Sequence, residues 1–82
     1  MQLLSGDSIV IAEVKSSTDT KAVKEAIGQV LTYSEVIKAE LILAKQPVIP
    51  IEKTIVLPKT GGSVNPLLEM VCKVLNISIV YV

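Results

Sequence analysis

A chain of 82 residues, half of them apolar, can enclose one thin core and leaves no length for a second domain, so residues 1–82 are expected to fold as a single unit. Eight lysines balance eight acids and there is no arginine or histidine, which excludes the broad basic footprint of an autonomous nucleic-acid binder and leaves no guanidinium fork for guanine edges or phosphate. The single cysteine, Cys72, excludes an internal disulfide and a cysteine-based zinc site of the four-ligand kind.

The apolar half of the composition exceeds what an isolated domain of this size easily hides, so a homodimer or higher homo-oligomer is expected. Charges or prolines interrupt every apolar stretch well short of a membrane span, and the first residues lack the basic-then-apolar order of a signal peptide. A soluble, unprocessed cytoplasmic protein is expected. Asn76-Ile77-Ser78 has the form of a glycosylation acceptor but reads more simply as a helix-ending asparagine.

Met1 to Leu4 is a short apolar stub, and Ser5-Gly6-Asp7-Ser8 suits the bend of a hairpin, so the chain begins inside a β-hairpin. Ile9-Val10-Ile11-Ala12 reads as a strand covered on both faces, ending in the polar run Glu13-Val14-Lys15-Ser16-Ser17. Thr18, Asp19 and Thr20 offer N-caps for a helix to about Ala44, with a packing row at Val23, Ala26, Ile27, Val30, Leu31, Ser34, Ile37, Leu41 and Ala44. Gly28 inside it suggests a close neighbour, because glycine there costs about 1 kcal/mol relative to alanine. Gln46-Pro47 stops the helix and Pro47 to Pro50 form an extended connection. Thr54 to Leu57 reads as a buried strand and Lys59 to Ser63 as a loop. Asn65-Pro66 opens a short helix to about Leu75, and Ile77 to Val82 is the last strand. The order β-β-α-β-α-β predicts an α/β domain, a small mixed sheet flanked by two helices.

Glu13 and Lys15 lie two apart on a strand, so both point to one face while Val14 points to the other and packs. They leave the strand at its C-terminal end, beside the crevice where open α/β sheets bind ligands. Alone, such a pair is usually solvated or mutually neutralised. The next helix adds Gln29 and Tyr33, four apart and hence on one face.

A strand ending in E-x-K, a serine-containing loop and a helix carrying Q-x-x-x-Y resembles the PD-(D/E)XK, or restriction-endonuclease-like, nuclease superfamily, in particular its RecB-like, Holliday-junction-resolvase-like and excision-controlling-factor (XisH-like) branches. The resemblance covers roughly residues 8–38. It implies a restriction-endonuclease-like core and a metal-dependent endo- or exodeoxyribonuclease acting on DNA. It implies further that Glu13 binds Mg²⁺ or Mn²⁺, that Lys15 orients the attacking water or meets phosphorane charge, and that Gln29, Tyr33, Ser16 and Ser17 support the site or the nucleic-acid backbone. Phosphodiester hydrolysis calls for such types: a hard cation held by oxygens, and a fixed positive charge.

The sequence departs from the family pattern in one respect. The family carries an aspartate on the preceding hairpin strand, facing the glutamate, whereas Asp7 lies six residues before Glu13, roughly 20 Å along a strand, and the residue opposite Glu13 falls at or before Met1. A second subunit or Glu25, one turn before Gln29, is another source of a carboxylate, although for Glu25 an exposed helix charge near Lys21 and Lys24 is the simpler reading. Two further readings stand beside the nuclease: an inactive nuclease-fold remnant serving as a nucleic-acid- or protein-binding oligomeric module, and an unrelated α/β interaction module in which Glu13 pairs with Lys15. Lys59-Thr60-Gly61 and Gly61-Gly62-Ser63 read as turns, Cys72 as a small buried hydrophobe, and Tyr81 as core or interface.

Overall fold

The structure, a computed structural model, describes residues 2–5 and 8–82, with side chains from Ser8 onward. The elements run β1 (Gln2–Ser5), β2 (Ser8–Val14), α1 (Thr20–Leu43), β3 (Ile51–Leu57), α2 (Pro66–Val74) and β4 (Ile77–Tyr81), with a short 3-10 turn at Lys59–Gly61. They form one four-stranded sheet in the order β1-β2-β3-β4. β1 is antiparallel to β2, with Ser5 opposite Ser8, while β2, β3 and β4 are mutually parallel. The expected β-β-α-β-α-β order and mixed sheet are therefore present.

Side-chain alternation sorts the sheet into two unlike faces. Ile9, Ile11, Ile55, Leu57 and Ile77 are buried, and all but Ile9 join Val23, Ala26, Ile27 and Val30 of α1 and Leu68 and Cys72 of α2 in one core. Both helices thus cover the same face, the outcome of two successive crossovers of one hand between neighbouring parallel strands. The other face carries Val10, Ala12, Thr54 and Val56, half-buried, and Val14, Val80 and Val82, exposed. This corrects the expectation that β2 is covered on both sides. The apolar residues of that face are β-branched or small, and periodicity alone does not distinguish an open valine face from a buried one.

Helix α1 starts where Asp19 accepts a hydrogen bond from the Ala22 N–H at 2.8 Å, satisfying one orphan donor of the first turn. Its row buries Val23, Ala26, Ile27, Val30 and Ser34, leaves Leu31, Ile37 and Leu41 half-buried, and runs out at exposed Ala44. The helix closes at Leu43, ahead of the expected Gln46-Pro47 stop. Lys45 there takes a left-handed φ of 56°, and the Gln46 N–H bonds back to Leu41 O at 2.9 Å, a Schellman closure with lysine in place of the usual glycine. α2 opens with the Asn65 side chain accepting from the Leu67 N–H at 2.9 Å, and Asn76, also at φ 56°, follows its end.

Two further expectations change. β3 begins at Ile51, not Thr54, because Ile9 pairs with Ile51 and the ladder carries through Glu52 and Lys53; the two charges hid a strand whose polar positions face the open side or lie at its start. Gly28 is exposed, and a Cβ built there meets nothing within 4 Å, so no neighbour passes close by. Among the described residues no helix is long and apolar enough to cross a membrane.

Candidate functional site

The parallel strands end together at one rim, from which the β2–α1 and β3–α2 connections emerge. The Lys15 N–H bonds to Val56 O at 3.0 Å, extending the ladder one residue beyond β2, so Lys15 keeps the strand's alternation. Glu13 and Lys15 accordingly project to the helix side, and Val14 projects to the open side, where it is 59% exposed instead of packed.

Lys15 lies low against the molecule, with its side chain only 19% exposed, and its Nζ reaches Glu25 Oε2 of α1 at 3.6 Å. Glu25 is an exposed helix charge, as expected, but its ion-pair partner is Lys15 and not Lys21 or Lys24. Because the glutamate side is half exposed, this pair contributes at most about 1 kcal/mol to stability; its interest lies in the placement of an ammonium beside a carboxylate where the helix meets the sheet. Among the described residues the half-buried Glu13 carboxylate has no ion-pair partner, so the expected alternative of a Glu13–Lys15 pair does not form.

Successive helical turns carry the row onward from Glu25 to Gln29 and Tyr33. Together with Gly28 and Thr32 these residues line an open depression of about 350 Å³. The Oε1 of Gln29 is buried and without a hydrogen-bond partner, a state that costs about 1–3 kcal/mol for a neutral acceptor. Tyr33 is 47% exposed at the far end of the row. Lys15, Gln29 and Tyr33 therefore lie on one flank of the helix–sheet junction, joined through Glu25, which composition and spacing alone rank low.

The serines separate. Ser17 donates to Asp19 Oδ2 at 2.8 Å and accepts from the Asp19 N–H at 3.1 Å, so it braces the helix cap, whereas Ser16 is exposed. The bond from the Ala22 N–H and then that from Ser17 hold the Asp19 carboxyl below its ordinary value. Next to them the buried Thr18 hydroxyl donates to the Gly61 carbonyl, tying the β2–α1 connection to the β3–α2 connection. A Cβ on Gly61 would stand 2.9 Å from Thr18 Cγ2 and 3.0 Å from Pro58 Cγ, so the tie depends on glycine. Sequence reading offers Thr18 only as one of several caps and Gly61 only as a turn residue; a close approach between two loops has no local pattern.

Asp7 lies outside the described residues. Gln2 pairs with Ile11, so the antiparallel register carries the position opposite Glu13 to one place before residue 1, and no described residue of β1 stands in the place of the family's aspartate. Cys72 is buried, and burial, followed by the charge of Glu69, pushes its thiol pKa up, the opposite of what a nucleophile requires.

Among the described residues no group of three His, Cys, Asp or Glu side chains is gathered tightly enough to cage a metal. The oxygen donors on this flank are the Glu13 and Glu25 carboxylates and, further along α1 and buried, the orphaned Gln29 Oε1. That set suits a hard cation such as Mg²⁺, which keeps several waters and takes one or two carboxylates plus substrate phosphate oxygens. Comparison of the chain with protein-family models, with curated proteins and with solved structures finds no match, so the resemblance described above stands on its own residues.

Proposed function

We propose that this chain is a metal-dependent nuclease-like domain acting on DNA phosphodiesters, built on a restriction-endonuclease-like core, with Lys15 as its fixed cation and Glu13, Glu25 and the Gln29 amide oxygen as its metal donors. The observation that carries this reading is the approach of the Lys15 ammonium, on a side chain only 19% exposed, to Glu25 at 3.6 Å, on the same helix row as the unpartnered Gln29 oxygen. When bound, Mg²⁺ or Mn²⁺ would polarise the phosphoryl group and lower the pKa of its water.

The chain's own groups do the rest. Lys15, its side chain lying low against the molecule, holds a positive charge where the added negative charge of a pentacoordinate phosphorus develops. Glu25 keeps the ammonium aimed at the rim. Tyr33, half exposed, offers a hydroxyl to a backbone phosphate further along the groove. Ser17 acts through the Asp19 cap, fixing where α1 begins and therefore where Glu25 and Gln29 stand.

The zero net charge and the absence of a three-carboxylate group among the described residues favour a second reading, an inactive nuclease-fold remnant that binds nucleic acid or protein as an oligomeric module. Incubation with linear, supercoiled and branched DNA in Mg²⁺ or Mn²⁺ separates the two. Cleavage that falls at least 10²-fold in Lys15→Ala, the scale of removing one electrostatic donor, and that falls also in Glu25→Gln, supports the nuclease. Undiminished cleavage by Lys15→Ala removes these residues from the chemistry, and no cleavage of any substrate leaves the second reading.

A further inference from the structure

We infer that β4 is a dimerisation edge, on which a second copy of this chain adds its own β4 antiparallel to make one continuous eight-stranded sheet. β4 is the last strand of the sheet order, and its residues Ile77–Tyr81 include no charge, proline or glycine. Those are the devices by which solvent-facing edges normally avoid pairing.

The backbone is arranged for a two-fold. The Val82 N–H bonds to Leu57 O at 2.9 Å and Val82 O accepts from the Lys59 N–H at 2.8 Å, so residue 82, and by alternation Val80 and Ser78, turn their peptide groups inward to β3. Ile77, Ile79 and Tyr81 turn theirs outward. An antiparallel strand centred on Ile79 pairs Ile79 with its own copy and Ile77 with Tyr81 of the other, so every outward N–H and C=O of the strand is satisfied by a symmetric contact. On the helix side this register sets Tyr81 opposite isoleucine, an aromatic and β-branched pair of the favourable kind.

The flanking helix is equally self-complementary. Across the two-fold the two α2 helices run antiparallel, each on the same sheet face as its own β4. The right-handed sense of the β3–α2–β4 crossover turns toward this edge the flank bearing Glu69 and Lys73, both exposed, so the flank each copy presents carries one charge of each sign. The amount of surface also fits. The chain exposes 5366 Å², whereas a folded monomer of 8.8 kDa exposes about 4,800 Å², and a standard interface removes about 800 Å² per partner. This association is independent of the nuclease reading, because it leaves the rim carrying Lys15 and Glu25 open in both copies.

Sedimentation equilibrium at micromolar concentrations, combined with residue-resolved hydrogen exchange, tests it on the whole chain. Twice the chain mass is expected, with the Ile79 and Tyr81 amides as slow to exchange as Ser78 and Val80, and becoming fast on dilution. Val80→Lys, at an exposed edge position, is expected to weaken the dimer at least about tenfold, while Val14→Lys, on the open face of β2, leaves it unchanged. A chain that stays single at every concentration, or a dimer in which Ile79 and Tyr81 exchange freely, overturns the inference. So does a dimer lost in Val14→Lys but kept in Val80→Lys, which would assign the interface to the open sheet face. Should Val80→Lys fail to fold, the exchange pattern of the unaltered chain decides alone.

Discussion

At the scale of single residues, the two glycines of contrasting surroundings give the plainest expectations. Gly28 sits mid-helix with open space around its missing Cβ, so Gly28→Ala is expected to raise unfolding free energy by about 1 kcal/mol through backbone entropy alone, read from denaturant midpoints at unchanged slope. Gly61 is the reverse case. Its Cβ would press on Thr18, which is buried and hydrogen-bonded to the same residue, so Gly61→Ala is expected to cost about 1–3 kcal/mol and to loosen the loop beside Lys15. Asp19 supplies a pH dependence. Its carboxyl titrates below the ordinary value of 3.8 in the folded chain, so its contribution is fully present above that value and is lost as pH falls through the lower, folded one. Asp19→Ala is therefore expected to be less stable than the parent at neutral pH, with the difference in thermal midpoint closing in strong acid.

At the scale of elements, the helices were the most legible part of the chain. Asp19 and Asn65 are good caps followed by apolar residues at helical spacing, and both helices begin where those caps stand, since capping and periodicity are local properties. In the sequence β3 reads three residues short, because Glu52 and Lys53 look unlike a strand until the register with β2 is known. The sidedness of β2 is hidden in the sequence for a related reason: alternation shows only when the outward residues are polar, and Val10, Ala12 and Val14 are not. Lys45 tests the C-terminal end of α1. A β-carbon at φ 56° is strained in a way glycine is not, so Lys45→Gly is expected to stabilise the chain by up to about 1 kcal/mol in the same denaturant assay.

At the scale of the molecule, the part of the site that the sequence made legible was the strand pair and the helix pair, because periods of two and four fix which side chains share a face. Glu25 was harder to find. Its meeting with Lys15 depends on where α1 lies across β2, a tertiary fact set by the depth at which Val23, Ala26 and Val30 pack on Ile11 and Ile55. The zero net charge constrains the proposed activity: with little long-range field to gather DNA, binding under that proposal is limited to a few contacts along the Lys15–Tyr33 flank, and affinity is expected to fall only shallowly with salt.

The most direct test of the central claim, that the rim flank of Glu13, Lys15, Glu25 and Gln29 is a divalent-cation site, is a Mn²⁺ titration followed by amide resonance broadening. The account expects the earliest losses at residues 13–15 and 25–29, and their abolition in the Glu13→Gln, Glu25→Gln double variant. Broadening that begins instead around Glu52 or Glu69, or survives unchanged in that variant, would contradict it.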